Sequence, residues 1–332
     1  MRIPLLLTLG TMLLFTGCSQ KVKVHALQPA KVDRAAQTKT IAVSPFQRDR
    51  VGLSGKIESE LASKRLDGKT YFTMISRNDI DKILQEQRLQ NSGLLDESTS
   101  VEVGNLLGAQ ALISGTISNA ASSDTHYREK RYKCLDKKCK EIQEYTVGCT
   151  KRVITLAAQI KMVDIAKGDI IYSDTFKKSR EWNHCSDDSK SLPSKTQGLE
   201  YLASGIAAIF AQQLTPSYVT FNVILLEEPD IDYSDLQESL LENALLYIER
   251  QRYDKAEKLL SRLLDETLER SYVAAYNLGV VKEINGELNE AHQLYGLADS
   301  LTIEPVEEID TAMLRIKNSI TDDEQARKQI AQ

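Results

Sequence analysis

The pattern of apolar and polar positions divides the chain near residue 230. Before that point, short apolar runs typical of strands, such as Thr40–Phe46 and Tyr71–Ser76, alternate with amphipathic segments of helical period, such as residues 53–66. Strands that alternate with helices favour an α/β sandwich, in which helices cover at least one face of a sheet. From Ser234 onward the pattern is helical throughout. We therefore predict an α+β protein in which an α/β sandwich precedes an all-α domain.

Two segments in the middle of the chain alternate apolar and polar residues and predict a β-hairpin. They are Arg152–Ile165 and Asp169–Trp182, and the loop between them places Gly168 at the left-handed position. If Ile165 pairs with Asp169, the numbers of opposed residues sum to 334 along the whole ladder. Shorter apolar runs predict further strands at residues 111–117 and 218–226.

The first twenty residues predict export and lipid attachment. An apolar run follows Arg2, it is too short to span a bilayer, and small residues precede Cys18. This arrangement resembles a bacterial lipobox, which implies acylation of Cys18 after removal of residues 1–17. Ser19 at the next position implies delivery to the outer membrane of a Gram-negative cell, on its periplasmic face. An ordinary secretory signal with a coincidental cysteine is the alternative.

The four remaining cysteines are expected to form two disulfides, because the periplasm is oxidising and their number is even. Cys149 and Cys185 also sum to 334, so they lie directly opposite each other on the extended hairpin ladder. That pairing leaves Cys134 and Cys139 to close a short local loop.

No arrangement of residues in the sequence predicts catalysis. The chain has no Gly-rich phosphate loop, no nucleophile elbow and no His-Glu-x-x-His, and its four histidines are scattered. A zinc site that combines the cysteines with His126 or His184 is the one metal alternative, but the spacing matches no recognised zinc motif. We therefore predict a protein that is not an enzyme and that has no metal and no cofactor.

The segment from residue 121 to residue 150 differs from its surroundings, because about half of residues 124–152 are charged. Its basic side chains form a candidate patch for an anionic partner, such as lipopolysaccharide or another envelope polymer. A solvated hairpin without a partner is the alternative. The patch consists of Arg128, Lys130, Arg131, Lys133, Lys137, Lys138 and Lys140.

The helical tail nearly repeats itself. Ala256 and Ala291 lie 35 residues apart within matching blocks, and Gly279, Tyr295 and Ala298 fall where paired helices need small or aromatic residues. The tail therefore resembles the tetratricopeptide (TPR) repeat. This resemblance implies about two helix pairs, a closing helix and a concave surface for a polypeptide partner. Plain helical hairpins without a groove are the alternative.

Several blocks of sequence within residues 40–117 resemble the CsgG family, the curli production assembly and transport lipoproteins. The blocks are Ile41–Phe46, Ile75–Gln87, Gly93–Thr99 and Leu106–Gly115. The resemblance implies an α/β body similar to the TolB N-terminal domain, an outer-membrane address and a ring of identical subunits.

These observations predict a chain of four parts. Residues 1–17 are a signal peptide, and residues 18–38, which are polar and lack periodicity, form a lipidated tether. Residues 39–229 form the CsgG-like α/β domain with the charged insertion at 121–150, and residues 233–325 form the TPR-like domain.

The features together favour a non-catalytic scaffold or assembly factor for an envelope or secretion machinery. Envelope proteins are expected to bind through the TPR-like region, and the net charge of −5 disfavours nucleic acid as a partner. The alternatives are a CsgG-type oligomeric secretion channel of the outer membrane and an activator of peptidoglycan synthesis similar to LpoB. The segments at residues 124–150 and 182–196 are not expected to span a membrane, because each lysine or arginine on a lipid face costs about 2–4 kcal/mol.

Overall fold

The computed structural model describes residues 19–75, 101, 102 and 105–331. The expected signal peptide, Cys18 and most of the family-like blocks between residues 75 and 99 lie outside the described residues. The strands are β1 (Lys21–Gln28), β2 (Thr40–Val43), β3 (Arg65–Leu66), β4 (Lys69–Thr70), β5 (Thr73–Met74), β6 (Ala111–Cys134), β7 (Ile142–Asp164), β8 (Ile170–Cys185) and β9 (Ser217–Ile224). The helices that we label are α1 (Asp33–Gln37), α2 (Leu53–Ser63), α3 (Lys195–Gln213), α4 (Asp235–Glu249), α5 (Tyr253–Glu266), α6 (Tyr272–Ile284), α7 (Leu288–Leu301) and α8 (Glu307–Ile330).

The chain forms two compact units. Among the described residues, the helical unit contains Tyr218–Asp323 together with Ser19–Leu27, and the α/β unit contains Gln28–Ser217 together with Glu324–Ala331. A mixed sheet followed by a run of helices confirms the predicted fold class. The boundary expected near residues 229–233 falls instead after Ser217, because β9 pairs with β1 and buries Val223 in the core of the helical unit.

A five-stranded mixed sheet forms the centre of the α/β unit, with the strand order β5-β2-β6-β7-β8. β2 runs parallel to β5 and β6, whereas β6, β7 and β8 are antiparallel. α3 packs on β7 and β8, α2 packs on β2, and the two helices pack on each other. α3 buries Leu202, Ile206 and Phe210, and it begins with a capping box between Ser194 and Gln197.

The hairpin of β6 and β7 is much longer than the sequence predicted. The strand expected at residues 111–117 continues to Cys134, and pairing runs from Ala111 opposite Asp164 to Cys134 opposite Ile142 with one bulge near Ile117. At about 3.3 Å per residue, the 24 residues of β6 extend for about 80 Å. The expected insertion at 121–150 is therefore the distal part of the same two strands. Alternation did not reveal it, because both of its faces are largely exposed.

The predicted register of β7 with β8 is confirmed over most of its length. Opposed residue numbers sum to 334 from Cys149–Cys185 through Met162–Tyr172, and Gly168 has the expected positive φ of 69°. The register shifts by one between Met162 and Val163. The Asp164 N–H donates to the carbonyl of Asp169, so the turn closes one pair earlier than the predicted pairing of residues 165 and 169.

The prediction of a polar tether over residues 18–38 is wrong from Lys21 onward. Residues 21–28 form β1, whose buried side chains Val22, Val24 and Ala26 alternate with exposed polar residues. The short helix α1 follows at Asp33. Lysines and a histidine between the buried positions made this segment polar on average, so its period of two was overlooked.

The last turn of α8 belongs to the α/β unit. The Gln329 side chain is fully buried there; its Oε1 accepts from the Ala30 N–H (2.8 Å), and its Nε2 donates to the Ala30 carbonyl (3.2 Å) and to Asp33 Oδ1 (3.0 Å). The Gln329 side-chain amide thus satisfies both the N–H and the carbonyl of Ala30, as a neighbouring strand would. No sequence pattern predicted this contact.

Consecutive helices from α4 to α7 pack against one another in the helical unit, and α6 lies at its centre. Ten of the thirteen residues of α6 are buried. The residues Ala256, Ala291, Tyr295 and Ala298 are all fully buried. A Cβ atom added to Gly279 would lie 2.7 Å from the Tyr295 ring, so α6 and α7 approach as closely as the TPR-like spacing requires.

Gly279→Ala should destabilise the helical unit relative to Gly296→Ala by about 1–3 kcal/mol, the usual cost of overpacking a core. Both substitutions exchange a helical glycine for alanine and share the same gain in helix propensity. Only the first places a Cβ against a buried ring, whereas a Cβ on Gly296 meets nothing within 4 Å. Denaturant unfolding followed by far-UV circular dichroism measures the difference, and equal stability of the two variants would contradict the close approach of the helices.

Candidate functional site

The seven basic residues of the predicted patch all lie near one end of the β6–β7 hairpin, which we call the hairpin tip (residues 127–145). Four are on β6 and three follow before β7 begins. Six of them are exposed and Arg131 is half-buried. They are Arg128, Lys130, Arg131, Lys133, Lys137, Lys138 and Lys140.

Ion pairs neutralise only part of this charge. Lys130 Nζ lies 2.7 Å from Glu144 Oε1, and Arg131 lies 3.5 Å from Glu129 and 4.0 Å from Asp188. Within the part of the chain that the structure describes, the other five basic residues of the patch make no ion pair. The tip therefore presents several cations that are available to an anionic group.

Exposed apolar side chains lie among these cations. Tyr132, Leu135 and Ile142 are each more than half exposed, at 66%, 58% and 60%. Sequence analysis missed them as a group, although three large apolar residues inside a highly charged segment are a usable signal. Lysines beside exposed aromatic and aliphatic side chains suit a partner that has both anionic and apolar parts.

Two cysteine pairs lie at disulfide distance, and both match the pairing predicted from the sequence. Cys134 and Cys139 close the loop at the tip with a Cα–Cα distance of 4.8 Å, and Cys149 and Cys185 join β7 to β8 with a Cα–Cα distance of 4.0 Å. The second pair is also the last pair of the β7–β8 ladder, beyond which β7 pairs with β6 alone. This disulfide therefore lies where three strands become two.

The tip loop is also held by hydrogen bonds. The carboxylate of Asp136 accepts from the Lys140 N–H at 2.7 Å, and the Cys139 N–H donates to the Asp136 carbonyl at 3.2 Å. Cys139 has a φ of 48°, in the left-handed region, which the short loop requires. These contacts give the loop that carries the lysines a defined conformation.

The carboxylate of Glu129 lies beside the two sulfurs of the buried disulfide. Its Oε2 lies 3.7 Å from the Cys149 sulfur and 3.6 Å from the Cys185 sulfur. Because the sulfurs are bonded to each other, they are not thiolates and do not offer metal ligands. His126 and His184 contact other groups: their Nδ1 atoms lie 3.0 Å from the Thr150 hydroxyl and 2.7 Å from the Lys190 carbonyl.

An ion pair between opposed residues fixes the middle of the hairpin. Asp124 and Arg152 face each other in the β6–β7 ladder, and both guanidinium contacts are short, at 2.7 and 2.6 Å. The same guanidinium donates to the Pro193 carbonyl at 2.7 Å. Hydrogen bonding to Arg152 lowers the pKa of Asp124 below its ordinary value. The bidentate geometry orients the strand pair from which the tip extends.

Polar contacts to α6 connect the helices of the helical unit. Lys282 Nζ lies 2.9 Å from Glu257 on α5 and 2.8 Å from Glu290 on α7, and it also contacts Glu287. Hydrogen bonds that the ammonium donates to these carboxylates, Glu287 first, raise the pKa of Lys282. One ammonium group thus links three successive helices.

A buried ion pair links α6 to α8. Arg315 donates to both oxygens of Glu283 at 2.9 and 2.8 Å, and the Tyr295 hydroxyl donates to the same carboxylate at 2.7 Å. Glu283 is 1% exposed. Burial raises the pKa of Tyr295 well above its ordinary value, so the hydroxyl stays protonated and remains a donor. Removing one partner of such a pair costs about 3–5 kcal/mol, which assigns these groups a structural role.

Lys39 is the described lysine whose pKa is lowered, to about 8, because burial disfavours its charge. Its ammonium donates to the carbonyls of Ala36 (2.8 Å) and Gln329 (2.9 Å) and lies 3.9 Å from the centre of the Tyr71 ring. These contacts are to backbone carbonyls of α1 and of the end of α8 and to an aromatic ring. We therefore interpret this lysine as structural.

Comparison with known proteins confirms the family resemblance. Residues 32–186 match the family model for the curli production assembly/transport component CsgG. The match includes the expected blocks and continues through the whole hairpin and β8. The helices from α3 onward lie outside it. No curated protein matches the chain.

Solved structures resemble the chain over somewhat more than half of its length. Lipoprotein GNA1162 from Neisseria meningitidis is 18% identical, covers 52% of this chain and 98% of its own, and has a TM-score of 0.28. A PelC dodecamer from Paraburkholderia phytofirmans is 16% identical, with coverages of 59% and 98% and a TM-score of 0.24. The hypothetical protein CT253 from Chlamydia trachomatis is 12% identical, with coverages of 53% and 98% and a TM-score of 0.27. In the described part of the chain, no helix has the length and apolar character needed to cross a membrane.

Replacing Cys149 and Cys185 together by serine should destabilise the α/β unit by about 4 kcal/mol, the loop-closure value for a disulfide that spans 36 residues. The matched control is the pair of serine substitutions at Cys134 and Cys139, which span 5 residues and should cost about 2 kcal/mol. Denaturant unfolding gives the two values, and amide hydrogen exchange should show faster opening of the β7–β8 end only in the first variant. An equal loss in both variants would contradict a role for Cys149–Cys185 in holding the third strand.

Proposed function

We propose that this protein, whose residues 32–186 carry the CsgG-family match, is a lipid-anchored assembly factor on the periplasmic face of the outer membrane. The observation that carries the proposal is that match, since the family model is that of an assembly and transport component. A lipobox-like sequence before Cys18 supports the address, and the absence of any recognised catalytic motif in the sequence supports a role in binding rather than in chemistry.

The helical unit is the proposed site for an envelope protein. Its helices are joined by Lys282 and by the buried Glu283–Arg315 pair, so its surface is preorganised. A rigid surface binds a polypeptide at a lower entropic cost than a mobile one. The ring of identical subunits and the identity of the partner stay predictions.

The hairpin tip is the proposed site for an anionic amphiphile, and we favour lipopolysaccharide. Phosphate groups would meet the unpaired cations, such as Lys133, Lys137 and Lys138, and acyl chains would meet the exposed side chains of Leu135 and Ile142. A purely polar polymer would use the lysines but would leave these apolar side chains in water. The combination therefore favours an amphiphile over a simple polyanion.

Cys18→Ala should move the mature protein from the membrane fraction to the soluble fraction. Several acyl chains on one cysteine hold a protein far more firmly than the marginal binding given by a single chain. Fractionation of envelopes, with Ser19→Ala as the matched control that keeps the acylated residue, measures the distribution. Equal retention of the Cys18→Ala variant would overturn the proposed anchor.

Reversing three tip charges with Lys133→Glu, Lys137→Glu and Lys138→Glu should weaken binding to purified lipopolysaccharide by roughly 100-fold, at about 1 kcal/mol for each lysine near an anionic surface. Binding by the unchanged protein should also weaken as salt is raised. The control reverses three exposed lysines elsewhere, Lys177, Lys258 and Lys317, and so changes the net charge equally. Equal loss in both variants would show a nonspecific charge effect and would contradict a site at the tip.

A further inference from the structure

The folded body begins immediately after the expected lipid attachment site. The Gln20 N–H donates to the carboxylate of Glu227, its carbonyl accepts from the Leu225 N–H at 2.9 Å, and its side-chain amide donates to the Leu245 carbonyl at 3.0 Å. Val22 and Val24 then enter the core of the helical unit. Gln20 is thus fixed through its backbone and its side chain, and Ser19 is the single residue between it and Cys18.

Chain length then limits how far the helical unit can lie from the acyl chains. Consecutive Cα atoms are about 3.8 Å apart, so the Cα of Cys18 lies within about 8 Å of the Cα of Gln20. The flexible tether expected at residues 18–38 would have allowed an average separation of about 25 Å. The headgroup layer itself is roughly 5–8 Å deep on each side of a bilayer. The short connection therefore reaches no farther than the headgroups.

Ser19 lies in a cleft of the helical unit, which identifies the surface next to the anchor. The cleft is lined by β9 and the residues that follow it, by the start of α6 and by the start of α8. Glu228 and Pro229 are exposed there, and Tyr272 and Glu308 complete the lining. Together with Glu227 this surface carries three carboxylates, which favour the ammonium groups of zwitterionic lipids over anionic headgroups.

We propose that the helical unit is held without a tether against the phospholipid headgroups, with the cleft formed by Ser19, Glu228, Pro229, Tyr272 and Glu308 facing the bilayer. This inference rests on the proposed acylation of Cys18 and makes it more specific. A protein bound by the helical unit must then be embedded in that membrane or lie directly on it, because the unit cannot move away from the surface.

The experiment uses the full-length acylated protein in vesicles of zwitterionic phospholipid that contain a headgroup-labelled lipid. A photo-crosslinking residue replaces either Glu228, in the cleft, or Asn289, which is exposed beyond the opposite end of α6, a helix about 20 Å long. Crosslinking to lipid should be at least fivefold stronger at position 228. Inserting twelve Gly and Ser residues between Ser19 and Gln20 should bring it down to the level seen at position 289.

Sedimentation of the same vesicles separates the two hypotheses. If the protein with the native N-terminus does not sediment with the vesicles, the proposed anchor fails and this inference fails with it. If it sediments but crosslinks equally at both positions, or if the inserted linker leaves crosslinking at position 228 unchanged, the anchor stands and the headgroup contact is wrong. Retention of both proteins together with loss of crosslinking in the linker variant alone supports the inference.

Discussion

Pairing of β1 with β9 is the constraint on which the organisation of the chain depends. It joins a strand that begins at Lys21 to one that begins at Ser217. A two-stranded sheet is marginal in water by itself, so it needs an apolar surface on which to pack. The helices supply that surface, since Val24 and Val223 are buried in the same core as α4 to α8. β1 is therefore part of the helical unit, and a lipid on Cys18 would be attached only three residues before that strand.

In the long β6–β7 hairpin, regular strand pairing continues where the side chains no longer contribute to the core. In the part of the hairpin that lies within the five-stranded core of the sheet, residues such as Leu112 and Ile160 are fully buried. Farther out, the ladder of backbone hydrogen bonds continues while the side chains become charged and exposed. Backbone pairing does not require apolar side chains, provided that something prevents the exposed ladder from fraying. The Asp124–Arg152 pair and the two disulfides supply that restraint at intervals along the hairpin.

The features that followed from local rules could be predicted from the sequence. A glycine-containing turn fixes the register of a hairpin, so Gly168 located the partner of Cys149 more than thirty residues away. The buried alanines of α5 and α7 followed in the same way from helical period. β1 could not be predicted as readily, because its partner lies almost two hundred residues later and its apolar residues are few. The burial of Gln329 could not be predicted at all, because a glutamine near the end of a helix has no periodic signature.

The distribution of charge constrains what the hairpin tip and the cleft can each bind. The hairpin tip carries unpaired lysines, whereas the cleft beside Ser19 carries the carboxylates of Glu228 and Glu308. An anionic surface attracts the tip and repels the cleft, and salt weakens both effects over a Debye length of about 10 Å. An anionic leaflet therefore favours binding at the tip and disfavours binding at the cleft. The two proposed ligands, a zwitterionic leaflet for the cleft and an anionic amphiphile for the tip, fit this difference in charge. The proposed anchor would hold the molecule in the envelope, so that even a weak affinity of the tip for an amphiphile there would become effective through high local concentration.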